Sequence, residues 1–173
     1  MKFGITFKGE GSPERTRHLV RQAEAAGFEY SWFFDSHILW RDSYVTIAMC
    51  IEHTQTMRFG PCVTNPGVRD WSVAASLFGS LAFQSGGRFD IGVGRGDSSL
   101  RVMGKKPSNL SEVVDFCDKV RSMVRGGQTL YADCPAPVEF PWASGYELPI
   151  WIAAYGPKAI KVAGEHGDGV VLQ

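Results

Sequence analysis

The sequence predicts an α/β domain built on a parallel β-sheet. Short apolar segments rich in β-branched and aromatic residues alternate with amphipathic helical segments, with a repeat of roughly 30 residues. Polar or titratable residues follow nearly every predicted strand. Two architectures satisfy this alternation, a (β/α) barrel and a doubly wound open sheet. The polar strand ends favour the barrel, because the carboxyl ends of all barrel strands surround one mouth, whereas an open sheet forms a site only at its switch point.

Six segments have the composition and length of strands. Pro61 lies inside the third segment and predicts a bulge or kink there, because proline has no N–H to donate to a neighbouring strand. The predicted strands are residues 2–7, 29–35, 58–65, 87–94, 148–154 and 168–173.

Helical segments connect these strands, and capping residues mark where they begin. Ser12 and Pro13 suit the N-cap and the first position of the first helix. Asp70 suits the N-cap of the third helix, and Asn109 and Glu112 have the spacing of a capping box. The predicted helices are residues 12–27, 42–54, 70–84, 109–126 and 157–167. The side chains expected to face the core are Thr16, Leu19, Val20, Ala23 and Ala26 of the first helix and Val73, Leu77 and Leu81 of the third.

Residues 127–147 interrupt the alternation of strands and helices. This stretch is rich in proline and aromatic residues, which predicts an inserted loop or hairpin. No low-complexity segment or obvious linker divides the chain. We therefore expect residues 1–173 to form a single domain with one insertion.

The composition narrows the classes of function. Lysine plus arginine and aspartate plus glutamate each total 18, so the formal net charge is zero, which gives no support to nucleic acid or an anionic membrane as a partner. No apolar run approaches the roughly 20 residues that span a bilayer, and the N-terminal segment meets charge too early for a secretory signal. The 4 cysteines are scattered without a CxxC spacing, which predicts reduced thiols in a cytoplasmic protein and no metal site.

The stretch FFDSHILW, residues 33–40, is the first candidate for a functional site. It places Asp35, Ser36 and His37 directly after the second predicted strand. These polar residues either cap the next helix or deliver an acid and an imidazole to a site. We favour the second interpretation and expect His37, together with Asp97 after the fourth strand, to carry acid–base chemistry, because burial or a neighbouring charge can tune the pKa of such groups.

The stretch GVGRGD, residues 92–97, contains three closely spaced glycines. Their spacing is GxGxG rather than the GxGxxG of a dinucleotide-binding turn, and no helix is predicted to begin at the third glycine. The sequence therefore gives only weak support to dinucleotide binding. We expect these glycines to let a flat ligand approach the backbone closely.

Four stretches together resemble the luciferase-like superfamily of flavin and deazaflavin oxidoreductases. They are RQAEAAGFEYSWFFDSH, RFGPCVTNP with RDWSVAAS, GGRFDIGVGRGD, and LPIWIAAYGPKAIKVAGEHGDGV, in this order along nearly the whole chain. The resemblance implies a (β/α)8 TIM barrel that binds FMN or the deazaflavin coenzyme F-420. CVTNP and GRGDSS make the chain most similar to the F-420-dependent branch, which includes methylenetetrahydromethanopterin reductase.

The resemblance also implies roles for individual residues. His37 matches the family's histidine near the reactive ring, and either Asp35 or Ser36 matches the acidic neighbour of that histidine. The bond between Cys62 and Val63 falls where the F-420-dependent branch has a non-proline cis peptide that backs the ring. The remaining implied positions are Thr64 and Asn65 at the ring edge or cofactor tail, Gly96 and the active-site carboxylate Asp97 after the fourth strand, and Gly156 and Pro157 in the turn after the fifth.

A complete barrel of this family has eight strands and nearly twice this length. The resemblance therefore implies a truncated chain holding about the first six β/α units, with open sheet edges that favour association as a homodimer. The function that it implies is hydride transfer between coenzyme F-420 and a small organic substrate. Two alternatives stay open, an FMN-dependent monooxygenase on the same fold and a non-catalytic truncated relative that associates through its open sheet edges.

Overall fold

A computed structural model describes residues 1–131 and 134–172, and within these residues six strands alternate with six helices. The strands are β1 (Gly4–Phe7), β2 (Tyr30–Phe33), β3 (Arg58–Pro61), β4 (Ile91–Val93), β5 (Ile150–Ala153) and β6 (Gly169–Val171). The helices are α1 (Pro13–Ala25), α2 (Ser43–Ile51), α3 (Trp71–Gln84), α4 (Asp97–Val102), α5 (Leu110–Val124) and α6 (Pro157–His166).

All neighbouring strands are parallel and follow one another in chain order. One sheet has the order β1-β2-β3 and the other has the order β4-β5-β6. Two parallel bridges, Phe59 with Phe89 and Thr64 with Val93, join β3 to β4 across the boundary between these sheets. Within the described residues the strand order has no reversal, and so it lacks the switch point that defines a doubly wound sheet.

The predicted helix caps are confirmed. The Ser12 hydroxyl accepts a hydrogen bond from the backbone N–H of Arg15 at 3.2 Å, and Asp70 caps α3. Asn109 and Glu112 form the complete capping box, with each side chain accepting from the other residue's backbone N–H, at 2.9 and 2.7 Å. These local pairs satisfy backbone donors that have no partner inside the helix, which is why sequence spacing alone reveals them.

Two features of the structure differ from the sequence prediction. Leu19, Ala26 and Val73 were expected in the core but are exposed, Leu19 at 38% and Val73 at 59%. The buried face of α3 consists mainly of small residues together with Phe78 and Leu81, and α3 packs against α5. The helix α4 was not predicted at all, because six residues are too few to show a period. The sixth strand was predicted to extend to Gln173, which lies outside the described residues.

The sheet has two different faces. Side chains alternate across a strand, so the buried Ser31 and Phe33 of β2 face the apolar core, while the half-buried Tyr30 and Trp32 face the other way. On that second face the rings of Tyr30 and Trp32 stack at 5.5 Å, and the ring of Trp151 meets both edge-on. Apolar side chains on the core face form the main buried cluster, which includes Phe59, Phe78, Phe89, Ile91, Val93, Ile150 and Ile152.

The predicted insertion, residues 127–147, lies against α3. Thr129 and Val138 pair as antiparallel residues through two backbone hydrogen bonds, and residues 132–133 between them lie outside the described residues. The Tyr131 hydroxyl donates to Asp70 at 2.9 Å, and the Trp142 ring comes within 3.2 Å of where a side chain on Gly79 would lie. The single-domain prediction for residues 1–173 stays a prediction.

Residues 1–131 and 134–172 show neither a membrane-spanning helix nor a metal-binding cluster. None of the helices in these residues combines the length and the apolar character that a membrane crossing needs. The same residues contain no group of three or more His, Cys, Asp or Glu side chains placed to hold a metal ion. The cysteines are free thiols, buried at Cys50 and Cys117, half-buried at Cys62 and exposed at Cys134.

Two glycines should respond in opposite ways to alanine. A side chain on Gly60 would collide with the backbone carbonyl of Asp90, whereas one on Gly164, inside α6, would meet nothing within 4 Å. We expect Gly60→Ala to lower the free energy of unfolding by about 3 kcal/mol and Gly164→Ala to raise it by about 1 kcal/mol. Urea unfolding followed by circular dichroism measures both. Equal effects of the two substitutions would contradict the close contact between β3 and β4.

The carboxylate of Glu24 should make stability depend on pH. Its Oε1 accepts from the backbone N–H groups of residues 55, 56 and 57 at 2.7 to 2.9 Å. Burial raises the pKa of Glu24, but these hydrogen bonds outweigh it and leave the pKa below the ordinary value of 4.5. A depressed folded-state pKa contributes stability above the unfolded-state value, and this contribution is lost as the pH falls through the folded-state value.

We therefore expect Glu24→Gln to lower the free energy of unfolding near neutral pH by roughly 1 kcal/mol, a modest amount because solvent screens this partly exposed group. The difference from the wild type should shrink as the pH falls below the ordinary value of 4.5. Glu165→Gln is the control, since Glu165 is 55% exposed and its one ion pair, with Lys161, is 3.8 Å long. A constant difference at every pH would show that the Glu24 charge is not involved.

Candidate active site

A pocket of about 1070 Å³ opens at the carboxyl ends of the strands. It is lined by residues that follow β2, β3, β4 and β5 and by the first turns of α4 and α6. In parallel α/β proteins this edge of the sheet is where functional residues gather. Apolar side chains, including Leu39, Trp40, Val63 and Leu110, form much of its wall.

The segment after β3 forms one side of this pocket. The peptide bond between Cys62 and Val63 is cis, as the resemblance implies, and both residues line the pocket. Burial raises the pKa of the Cys62 thiol above its usual value, so this thiol is protonated at neutral pH.

The glycines of GVGRGD make room for this neighbouring segment. A side chain on Gly92 would lie 2.7 Å from the Pro61 carbonyl oxygen, and one on Gly94 would lie 2.7 Å from Cγ2 of Val63. The neighbouring segment thus fills the space that side chains on Gly92 and Gly94 would occupy. Gly94 and Gly96 also line the pocket, together with Val63, so the close approach of a flat ligand to these glycines stays a prediction.

Asn65 fixes the loop between β4 and α4. It is 1% exposed, its amide nitrogen donates to the Ser99 hydroxyl at 3.1 Å, and its amide oxygen accepts from the Gly67 backbone at 3.1 Å. Gly96 has a φ of 82°, and a side chain there would strike the Asn65 amide at 2.7 Å. Only glycine is suited to this position, and α4 begins directly after it.

Asp97 and Asp35 lie at two different places on the pocket wall. The side chain of Asp97 is 46% exposed and pairs with Arg101 one turn along α4 at 3.0 Å. The side chain of Asp35 is 1% exposed and lies 3.4 Å from Arg69. The Asp97 side chain is open to solvent, whereas the Asp35 side chain is buried and held by its neighbours.

The structure does not bring His37 and Thr64 into the pocket wall formed by the described residues. His37 is exposed, whereas the neighbouring Ser36 does line the pocket. Thr64 is 1% exposed and is not among the residues that line the pocket. The roles of both residues therefore stay predictions.

Two basic residues, Arg95 and Lys158, are among the residues that line the pocket. Gly156, Pro157 and Lys158 line it at the start of α6, and no side chain of the described residues caps this helix terminus. Arg95 also lines the pocket, with its Nε donating to the Ser108 carbonyl at 2.6 Å. A helix N-terminus with an adjacent lysine and arginine favours an anionic group.

Sequence reasoning missed two residues that shape this site. Tyr44 lies in the first turn of α2 and donates a hydrogen bond to Asp35 at 2.8 Å, and Arg69 lies in the loop before α3. Neither residue was assigned a role from the sequence alone. The folded chain alone brings them to Asp35, so no local sequence signal could have found them.

The fold and the pocket define a class: a parallel α/β protein with a pocket of ligand size at the carboxyl ends of its strands. The sequence pattern that defines the luciferase-like monooxygenase family matches residues 1–173. The chain belongs to this family, and the resemblance found in its motifs is confirmed.

Curated relatives cover the same region. The chain is 32% identical over 180 residues to the 5,10-methylenetetrahydromethanopterin reductase of Archaeoglobus fulgidus. The matched region covers 99% of this chain and 53% of that protein. It is 27% identical to an F-420-dependent hydroxymycolic acid dehydrogenase of Mycobacterium tuberculosis, covering 92% of this chain and 49% of that protein. The chain thus spans about half the length of these relatives.

Solved structures show the same fold. The F-420-dependent tetrahydromethanopterin reductase of Methanopyrus kandleri superposes with a TM-score of 0.86 at 24% identity, over 99% of this chain and 55% of that one. The oxygenating component of 3,6-diketocamphane monooxygenase from Pseudomonas putida, in complex with FMN, superposes with a TM-score of 0.79 at 14% identity, over 99% and 57%.

Proposed function

We propose that this chain supplies the cofactor-binding half of an oxidoreductase that transfers a hydride between coenzyme F-420 and a small organic substrate. The observation that carries the proposal is the pocket, with the Cys62–Val63 segment on one side and the positive start of α6 on another. Two of the relatives described above support F-420 over FMN, because their names specify coenzyme F-420.

The residues present fit such a cofactor. The pocket volume of about 1070 Å³ is at the upper end of the range for ligand pockets, and this size suits a flat ring with a long tail. The side chain of Val63 offers an apolar surface to the ring. The backbone N–H groups at the start of α6, with Lys158, suit the phosphate that both candidate cofactors carry in the tail.

In this proposal the protein supplies geometry and protons, while the bound cofactor carries the hydride. Cys62 and Val63 position the ring, and Gly156 with Lys158 would hold the tail. Asp97 is the proton donor or acceptor with access to solvent. His37 would be the second acid–base residue, in a complete barrel that encloses the pocket. We propose an eight-stranded barrel for the complete enzyme, because the six strands β1 to β6 are parallel and lie side by side in the order of the sequence.

An FMN-dependent monooxygenase is the second candidate. One structural relative with this fold contains FMN, and the pocket volume accommodates either ring system. A third candidate, a non-catalytic relative that associates through open sheet edges, requires a folded dimer that binds neither cofactor.

Titration with oxidised F-420 and, separately, with FMN should discriminate between these candidates. We expect saturable binding of F-420 and much weaker binding of FMN. The absorbance and fluorescence of each cofactor report its binding. Lys158→Ala should weaken F-420 binding roughly five-fold through the lost phosphate contact. Lys161→Ala, on the same helix but with a 75% exposed side chain, should leave affinity unchanged.

Stronger binding of FMN would favour the monooxygenase instead. A well-folded chain that binds neither cofactor would contradict the proposal for this chain, and a dimer with that behaviour would favour the non-catalytic candidate.

Chemical labelling should show where the cofactor binds. Cys62 lines the pocket, whereas Cys134 is exposed away from it. At about ten times the Kd, bound F-420 should slow the reaction of Cys62 with a maleimide by roughly ten-fold. Mass spectrometry of the labelled peptides reads both thiols in one sample, with Cys134 as the internal control. An unchanged rate at Cys62 under saturating cofactor would place the cofactor elsewhere.

A further inference from the structure

A cluster of interlocked side chains lies behind the pocket wall at the end of β2. Its centre is Asp35, which lines the pocket and whose side chain is 1% exposed. A buried carboxylate is costly unless other groups bond to it. The partners of Asp35 come from α2 and from the loop before α3, so the fold brings three separate segments to one carboxylate.

Tyr44 provides the short hydrogen bond in this cluster. Its hydroxyl donates to Oδ2 of Asp35 at 2.8 Å, and the residue is 3% exposed. Burial first and the Asp35 charge second hold the pKa of Tyr44 well above its ordinary value. The phenol therefore stays protonated, and its proton is directed at the carboxylate.

Arg69 provides the charge partner. Its Nη1 lies 3.4 Å from both oxygens of Asp35, and its Nη2 lies 2.6 Å from Oδ2 of Asp42. The guanidinium also stacks on the Tyr44 ring, 4.7 Å from the ring centre. Asp42 is fixed in turn, since its Oδ1 accepts from the Tyr44 backbone at 2.9 Å. Two carboxylates thus share one guanidinium, and the closer of the two is Asp42.

This arrangement leaves acceptor capacity on Asp35. An ionised carboxylate has about four lone-pair sites. Within the described part of the chain, the contact of its Oδ1 is the 3.4 Å approach of Arg69, which is long for a hydrogen bond. A carboxylate that is almost fully buried, lines a pocket and has an oxygen without a short partner is prepared to accept a hydrogen bond from a ligand.

We propose that Tyr44 and Arg69 are positioning residues that hold Asp35 as an ionised hydrogen-bond acceptor on the pocket wall, for an N–H or O–H group of the bound cofactor. The ligand part of this inference rests on the proposed function. The Asp35 carboxylate would also orient the ligand, because it repels the phosphate that the start of α6 attracts. The donor-bearing part of the cofactor then faces β2, and the anionic tail faces Lys158.

The charge of Asp35 can be tested without any cofactor. Cys62 lines the same pocket, so in a Cys134→Ser background its rates with cationic and anionic methanethiosulfonate reagents report the local potential. We expect Asp35→Asn to raise the ratio of the anionic to the cationic rate roughly five-fold, and Arg69→Met to lower it. Asp115→Asn, at a 61% exposed side chain paired with Lys119, is the matched control. An unchanged ratio in Asp35→Asn would overturn the inference.

The acceptor role is tested by F-420 affinity in the same variants. We expect Tyr44→Phe and Arg69→Met to weaken binding by roughly five-fold or more, Asp35→Ala to weaken it further, and Arg69→Lys to restore part of the loss. A purely structural role would change the thermal midpoint and leave affinity and labelling ratio as in the wild type, which would overturn the inference. If the wild type binds no F-420, the proposed function fails, and the labelling ratio alone decides whether Asp35 is held as an anion in the pocket.

Discussion

The close approach of β3 to β4 is the constraint on which the rest of the structure depends. Gly60 lies against the backbone at Asp90, and Gly92 and Gly94 lie against the segment that follows β3. Side chains at these positions would push the two strands apart. The two backbone bridges beside these glycines join the two sheets, so β4 follows β3 in the strand order. The same contact between β3 and β4 holds Val63 at the edge of the pocket.

The pocket that results is divided electrostatically. At the end of β2 a buried carboxylate is tied to Tyr44 and Arg69, and at the start of α6 a helix terminus without a side-chain cap lies beside Lys158. A ligand with hydrogen-bond donors at one end and an anion at the other matches these two features. Because both features are local, the zero net charge of the chain does not argue against the proposed anionic cofactor.

Local patterns in the sequence predicted the features that are themselves local. The caps at Ser12, Asp70 and Asn109, and the polar residues after the strands, depend on neighbours within a few residues. The Tyr44–Asp35 and Arg69–Asp35 contacts span 9 and 34 residues, so they arise only when the chain folds. The sequence also drew attention to the glycines of GVGRGD, but it could not show that the segment after β3 packs against Gly92 and Gly94. The placement of Cys62 and Val63 came from the family resemblance, and no composition or period would have indicated it.

The most direct test of the central claim is a crystal structure of the chain grown with oxidised F-420. The account predicts the ring against Val63, a donor group of the cofactor within hydrogen-bonding distance of Oδ1 of Asp35, and the phosphate at the backbone N–H groups that begin α6. A ring bound outside the pocket, or one reversed so that its phosphate faces Asp35, would contradict it.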